Sequence, residues 1–328
     1  MAFQVFLPSN DPHIRPTILM LVRALEREGV PNRASPLGWK PARALAKLVG
    51  LMGLRRLPLL PNAEPVFAHL YHPWRNAFYP YVLRHPLVTC SFDLWPYTWD
   101  DWQRVFELNR PRIAFISAKL PMAEMQRRVP GVDFRWLPEA VDPAGFDSSL
   151  PLVERSVDVF EIGRPFPSFH ERIREPLAKA GCCHEYPQAA HPGGIPYAEV
   201  VKTYARSKVV VCFPRSMTHP QQAQGVETTT FRYFECMSSK TLMIGHCPAE
   251  LIEIMGYNPV IEANLEAPEE QLVKHLLPKI NNYQAFVDRN YNVLRQTWTV
   301  AHQAAKIRAA LEEAGETAQG QITKMKKL

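Results

Sequence analysis

Residues 208–214 read Lys208-Val209-Val210-Val211-Cys212-Phe213-Pro214, an apolar run that ends at a proline. After a polar loop the chain continues as Glu227-Thr228-Thr229-Thr230-Phe231-Arg232-Tyr233-Phe234-Glu235-Cys236-Met237, and then as a second apolar run, Thr241-Leu242-Met243-Ile244-Gly245. Short apolar runs rich in β-branched residues are typical of buried parallel strands, and the segment between them has helical character. This stretch therefore predicts a strand, a loop, a helix and a strand, the repeating unit of parallel α/β sheets.

The same alternation recurs along the 328-residue chain, except in the proline-rich residues 31–63. Apolar runs with β-branched and aromatic residues predict strands at 4–7, 66–70, 87–91, 112–116, 134–137, 157–162, 184–186, 208–213, 241–245 and 259–262. Amphipathic stretches predict helices at 16–28, 77–84, 99–108, 122–129 and through most of 269–311. Strands that alternate with crossover helices predict an α/β fold with parallel sheets.

A proline-punctuated acidic stretch separates two series of strands, which predicts a domain boundary near 140–153. A chain of this length exceeds what one core usually covers. We expect an N-terminal domain at 1–145, a C-terminal domain at 146–295, and a C-terminal helix with a basic tail at 296–328. The tail is interpreted as a solvated end rather than a binding arm.

Composition is that of a globular protein, with 46% hydrophobic and 21% charged residues. The formal net charge of +6 suits an anionic partner such as a nucleotide diphosphate, a nucleic acid or an acidic membrane surface. No apolar run approaches the roughly 18 residues of a spanning helix, and the first residues lack the features of a secretory signal. We therefore expect a cytoplasmic protein without a transmembrane segment. Its six cysteines show no metal-ligand spacing, so we expect reduced thiols and no metal site.

Residues 42–56 form a basic and apolar segment in a proline-rich region. A surface helix of this kind could meet an acceptor or make a peripheral membrane contact. An ordinary helix packed on its own sheet explains the same pattern.

The loop after strand 208–213 is the predicted ligand site, because ligands of parallel sheets bind at the carboxyl ends of the strands. The first turn of the next helix offers free N–H groups and the positive end of the helix dipole, which would hold a diphosphate over 226–230. The threonines of that segment are Thr228, Thr229 and Thr230.

Two acids of the same segment are the candidate sugar-binding residues. On a helix Glu227 and Glu235 would be about 12 Å apart along the axis, and donor sugar and ribose flank a diphosphate on that scale. We expect Glu227 to hold the transferred sugar, with a catalytic role, and Glu235 to hold the ribose. A structural interpretation stays open, in which Glu235 is a solvated helix residue and Glu227 a favourable first-turn acid.

The two acids belong to a longer set of motifs, which includes Arg232-Tyr233-Phe234-Glu235, the strand Leu242-Met243-Ile244 and Ala249-Glu250-Leu251. Two earlier segments extend it, Trp136-Leu137-Pro138-Glu139-Ala140-Val141-Asp142-Pro143 and Phe160-Glu161-Ile162-Gly163-Arg164. Together these motifs resemble the donor-site signature of "group 1" glycosyltransferases with the GT-B fold, closest to the compact branch related to spore-maturation glycosyltransferases. The resemblance covers roughly 134–311 well and the N-terminal half in outline.

The resemblance implies two Rossmann-like domains facing an interdomain cleft, with the C-terminal helix crossing back. It implies transfer of a sugar from a nucleotide-diphosphate sugar, a UDP-sugar first, with retention of configuration and without a metal or other cofactor, because cationic side chains and helix dipoles stabilise the leaving phosphate. Arg164 is expected near the diphosphate, and Arg232 counts among the donor-binding residues. The basic residue usual after Arg164 is missing here, so His170, Arg172 or Arg215 would substitute.

Candidates for the acceptor side come from strand ends of the N-terminal half. Asp93 would accept a proton from the acceptor hydroxyl or position it, although capping the next helix explains it equally well. His13 and His72 lie near other strand ends, where a structural role is commoner. Trp95 belongs to an aromatic cluster that mostly serves packing, but it could contact the acceptor. The acceptor could be a glycan, a small molecule, a lipid-linked sugar or a nucleic acid, since the glycine-rich N-terminal loop of the family is replaced.

Other functions fit parts of the same pattern. A nucleotide-sugar epimerase shares the two-domain fold and would need no acceptor. A glycosyltransferase acting on a nucleic-acid acceptor, or a silent binding protein, would suit the positive charge, although no nucleic-acid-recognition motif accompanies it.

Overall fold

The computed structural model describes residues 4–7, 16–34, 39–52, 64–70, 85–163, 165–186 and 195–325. The chain divides into two compact units. Unit 1 contains Met1–Glu139 and Val300–Leu328, and unit 2 contains Ala140–Thr299. The helix predicted at 77–84 lies outside the described residues.

Unit 1 is built on a six-stranded parallel sheet in the order β2-β1-β3-β4-β5-β6. Its strands are β1 (Gln4–Leu7), β2 (Asn32–Ala34), β3 (Val66–Leu70), β4 (Leu87–Ser91), β5 (Ile113–Ile116) and β6 (Asp133–Trp136). Its first helices are α1 (Pro16–Arg27), α2 (Trp39–Leu51), α3 (Trp99–Asn109) and α4 (Lys119–Arg128). The sequence pattern misses β2, because this short edge strand carries no apolar run.

Unit 2 is built on a five-stranded parallel sheet in the order β11-β10-β9-β7-β8. Its strands are β7 (Val157–Phe160), β8 (His184–Glu185), β9 (Ser207–Cys212), β10 (Leu242–Gly245) and β11 (Ile261–Glu262). Its helices are α5 (Pro167–Lys179), α6 (Tyr197–Arg206), α7 (Arg215–Thr218), α8 (Pro220–Ala223), α9 (Phe231–Ser238), α10 (Ala249–Met255), α11 (Pro268–Glu270) and α12 (Gln284–Thr297). A π-helical stretch (Gln271–Leu276) and a 3-10 stretch (Leu277–Tyr283) join α11 to α12.

The central strand of unit 2 is buried on both faces, as its continuous apolar sequence predicts. Val209 and Val211 lie in one apolar cluster with Phe169 and Ile173 of α5. Val210, whose side chain points to the opposite face, is also fully buried. Helices therefore cover both sides of this sheet.

The C-terminal helical segment is interrupted where the sequence pattern predicts one continuous stretch. α12 ends at Thr297, and Trp298 adopts an extended conformation, with φ −152°. The last helix, α13 (Val300–Met325), then packs against α1 within unit 1. Its buried face consists of residues spaced three or four apart, as expected of an amphipathic helix: Ala304, Ile307, Leu311, Ala314 and Ala318. The crossing back of the C-terminal helix is thus confirmed.

A buried arginine ties together the amino edge of the unit 2 sheet. Arg155 is 2% exposed, and its guanidinium donates to the carbonyl oxygens of Ser207 at 2.9 Å, Ser239 at 2.8 Å and Leu150 at 3.0 Å. It also donates to the hydroxyl of Thr241 at 3.0 Å. Burial lowers the pKa of Arg155 to about 10, so the side chain is charged at neutral pH. One cation therefore links the start of β9 to the turn between α9 and β10.

We expect Arg155→Met to lower the free energy of unfolding by about 3 kcal/mol, because it leaves several buried oxygens without a donor. Arg155→Lys keeps the charge but offers three donors in a different geometry, and should recover only part of this loss. Urea denaturation measures both, with Arg295→Met of the exposed end of α12 as the control. Equal stability of Arg155→Met and the control would contradict the role assigned to this residue.

Candidate functional site

The strand order of unit 2 reverses between β7 and β9. β8 lies on one side of β7, and β9, β10 and β11 extend on the other. Ligands of open parallel sheets bind outside the carboxyl ends of the strands at such a reversal. The segments that leave the sheet at this edge are 161–163, 213–230 and 246–248. They supply the candidate site.

Arg232, in the first turn of α9, lies against the turn that follows β7. Gly163 has φ +81°, which favours glycine, and a Cβ atom placed on it would lie 2.7 Å from Nη2 of Arg232. The guanidinium therefore fills the space beside this turn, where it is half-buried. No carboxylate among the described residues pairs with it. A cation at the strand reversal that has no carboxylate partner in the described part of the chain suits a bound phosphate.

The helix that follows the polar loop starts later than the sequence predicts. α9 begins at Phe231, with Thr230 as its N-cap in an extended conformation, and 226–230 lie outside any helix. Three successive β-branched residues lower the helical propensity of this segment. Placing Glu227 in the first helical turn is therefore wrong, and the axial separation of the two acids on one helix does not apply.

The start of α9 keeps hydrogen-bonding capacity that the described residues do not use. The hydroxyls of Thr228 and Thr229 are buried and have no partner in the described part of the chain. The Thr230 side chain makes no capping hydrogen bond to the helix. Free N–H groups at a helix start, next to unpaired hydroxyls, are what an anion-binding site requires.

Glu227 is held at the carboxyl end of β10. Its Oε2 accepts the backbone N–H of Ala249, the first residue of α10, at 3.2 Å. Its Oε1 lies 3.2 Å from Nε2 of His246 and accepts the hydroxyl of Ser216 at 3.4 Å. His246 in turn places Nδ1 3.4 Å from Oε2 of Glu262. The Glu227 side chain is 29% exposed, so a fixed carboxylate reaches solvent at this edge.

Glu235 lies inside unit 2, with 6% of its surface exposed. Its Oε1 accepts the hydroxyl of Tyr197 at 2.9 Å, and its Oε2 accepts that of Tyr204 at 3.1 Å. Burial and the neighbouring carboxylate raise the pKa of both tyrosines, so the phenols stay protonated donors. Glu235 therefore joins α9 to α6 and is not a solvated helix residue.

The other predicted donor-binding residues have separate surroundings. Arg164 lies outside the described residues. Arg215, at the start of α7, donates to the side-chain oxygen of Gln222. Nδ1 of His170 lies 2.7 Å from Oε1 of Glu161, so this imidazole is held by a carboxylate. The structure does not show a ligand role for any of the three.

On the acceptor side, Asp93 is exposed just after β4 and has φ +57°. Non-glycine residues rarely adopt this left-handed conformation, and they do so often at functional sites. The cap positions of the next helical turn and of α3 are Trp95 and Thr98, so Asp93 caps neither. Trp95 is 4% exposed, which leaves its ring little surface for an acceptor. His13 and His72 lie outside the described residues.

Sequence reasoning misses His246 and Tyr197. His246 directly follows β10, so the rule that ligand-binding groups leave the carboxyl ends of strands could have identified it. Tyr197 opens a helix whose sequence gives no sign that its hydroxyl reaches an acid 38 positions away.

Comparisons with known proteins agree with this geometry. Residues 164–309 match the glycosyl transferase-like family. Sucrose-phosphate synthase from Thermosynechococcus elongatus is similar over 96% of this chain and 100% of its own, with 11% identity and a TM-score of 0.60. AviGT4, a glycosyltransferase involved in avilamycin A biosynthesis, is similar over 96% and 98%, with 13% identity and a TM-score of 0.58. HepE from Anabaena is similar over 95% and 100%, with 12% identity and a TM-score of 0.52. No curated protein matches the chain in sequence.

The fold is therefore GT-B, with two Rossmann-like domains. Over residues 164–309 the chain is in addition similar to the glycosyl transferase-like family. Its closeness to the spore-maturation branch stays a prediction. Within the described residues, no helix combines the length and apolar character needed to cross a membrane.

We expect Glu235→Ala to lower the free energy of unfolding by about 3 kcal/mol, because the hydroxyls of the buried Tyr204 and the half-buried Tyr197 lose their acceptor. Glu227→Ala removes a partly exposed carboxylate and should cost less than about 1 kcal/mol. Thermal and urea unfolding of the two variants make the comparison. Equal losses would show that Glu235 does not carry the contact between α6 and α9.

Proposed function

We propose that the chain transfers a sugar from a nucleotide-diphosphate sugar to an acceptor hydroxyl, and that the preferred donor is a UDP-sugar. The observation that carries the proposal is Arg232, a half-buried cation beside Gly163 with no carboxylate partner among the described residues. It is supported by HepE, which has the same fold and whose structure contains UDP-glucose.

The diphosphate would bind at the start of α9, between the side chain of Arg232 and the free backbone N–H groups of the first turn. Arg232 supplies a charge-assisted hydrogen bond, and the free N–H groups of α9 supply neutral ones with the helix dipole behind them. The unpaired hydroxyls of Thr228 and Thr229 lie in the same segment. Negative charge that develops on the leaving phosphate is then stabilised by fixed protein groups. We therefore propose that the chemical step needs no metal ion or cofactor.

Glu227 would bind hydroxyls of the donor sugar, since its carboxylate is both fixed and accessible. Glu235, which accepts the hydroxyls of Tyr197 and Tyr204, would hold the ribose, as the resemblance implies. Asp93 would position the acceptor hydroxyl or take its proton, which suits its exposure and its left-handed backbone. We propose retention of anomeric configuration on the resemblance to group 1 enzymes.

Arg232→Leu should weaken UDP binding by about 10–100-fold, the loss of one charge-assisted hydrogen bond of roughly 1.5–3 kcal/mol. Isothermal titration of UDP measures it. Arg295→Leu, an exposed arginine of α12, is the matched control and should bind UDP like the wild type. Wild-type affinity of Arg232→Leu would remove the proposed phosphate site.

Turnover is tested by incubation with UDP-, GDP- and ADP-sugars in EDTA, with release of free nucleotide as the readout. We expect release from a UDP-sugar, and a fall in kcat of about 100-fold in Glu227→Gln with little change in UDP affinity. Without an added acceptor the sugar is transferred to water, and NMR of the released sugar before it mutarotates gives the configuration at the anomeric carbon. Isomerisation of the donor without nucleotide release would instead favour the epimerase, and unchanged kcat in Glu227→Gln would exclude its catalytic role.

A further inference from the structure

Three metal-ligating side chains meet beside β7. Glu161 follows that strand directly, His184 stands in the neighbouring strand β8, and His170 lies in α5. Nδ1 of His170 and Nε2 of His184 lie 2.7 Å and 2.8 Å from the same carboxylate oxygen, Oε1 of Glu161. All three ligand atoms lie within 4.8 Å of one another.

The spacing of these atoms fits a small divalent ion. A tetrahedral zinc with bonds of about 2.0–2.1 Å keeps its ligand atoms about 3.3 Å apart. The two short separations would widen by roughly half an ångström, a change that side-chain rotation can supply. Two imidazoles and one glutamate are also a known zinc ligand set that leaves a fourth position open.

The surroundings hold the three side chains in place. The side chains of Glu161 and His184 are 5% and 6% exposed, and that of His170 is 16% exposed. The ring of Tyr186 packs against both imidazoles, with centroids 4.8 Å and 4.7 Å away. Fixed ligands lose little freedom when they bind an ion, which favours binding.

A hydrogen-bonded structural cluster is the competing interpretation. In it, Oε1 of Glu161 lies within hydrogen-bond distance of one nitrogen of each imidazole. Nδ1 of His184 is buried without a partner among the described residues in either interpretation. The same three atoms would bind an ion, so titration with zinc decides between the two interpretations.

We propose that Glu161, His170 and His184 bind a divalent transition-metal ion of the zinc class. The ion joins the turn after β7 to α5 and β8 and thereby stabilises unit 2. None of its three ligands belongs to the phosphate site proposed at Arg232, and the ion takes no part in the proposed transfer step. His170, which is expected from the sequence to bind the donor, is a metal ligand in this proposal.

The test is titration of Zn²⁺ into metal-free full-length protein, followed by calorimetry and thermal unfolding. We expect about one ion per chain and a rise in Tm. His170→Gln and His184→Gln should each weaken zinc affinity by about 100-fold and abolish the rise. Co²⁺ should give the intense visible absorption of a four-coordinate site in the wild type alone.

Two controls keep the outcome decisive. His275→Gln removes an exposed histidine that lies 4.0 Å from Glu270 and should bind zinc like the wild type. Cys183→Ser removes the exposed thiol next to His184 and should also bind normally, which excludes a thiolate site. If His184→Gln fails to fold, His170→Gln still tests the site, because the His170 side chain is less buried. Zinc binding that is absent in the wild type, or retained in His170→Gln, would overturn the proposal.

Discussion

The buried guanidinium of Arg155 sets the geometry on which the candidate site of unit 2 depends. It binds oxygens at the start of β9, after the end of α9 and before β10. α9 runs back along the sheet. Because Arg155 fixes Ser239, just after the end of α9, at one edge of the sheet, the first turn of α9 lies at the opposite edge. The carboxyl ends of β9 and β10 reach that same edge. Arg155, at the amino edge of the sheet, thus helps to position the candidate ligand-binding groups at the carboxyl edge.

A second constraint acts at the opposite edge. Gly245 ends β10 with φ +149°, and a Cβ atom on it would lie 1.9 Å from the carbonyl oxygen of Cys212. No side chain fits there, because the backbone conformation of Gly245 would aim a Cβ atom at the carbonyl oxygen of Cys212 in β9. His246 follows immediately, and Tyr233 of α9 donates to its carbonyl oxygen at 2.8 Å. The position of His246, which contacts Glu227, is therefore fixed by backbone packing around Gly245.

Sequence patterns predict local structure well and the partners of side chains poorly. β3 and β4 have the bounds that their apolar runs predict, because a buried parallel strand needs continuous apolar residues. α9 starts later than the sequence predicts, because three successive β-branched threonines favour extended chain over helix. The contact of Glu235 with Tyr197 joins elements 38 positions apart. Such a pair depends on how α6 and α9 pack, and no local pattern encodes it.

The two acids of the motif therefore have different physical roles. Had both stood on one helix, their separation would be fixed by its rise, and each would face the ligand. Glu227 instead lies in extended chain at the accessible edge, while Glu235 enters the interior and satisfies two tyrosines. An interior carboxylate that already accepts buried hydroxyls gains less from a ligand than an exposed one. In the function proposed above, anchoring of the donor would then fall mainly to Arg232 and to the N–H groups of α9, and Glu227 would act on the sugar.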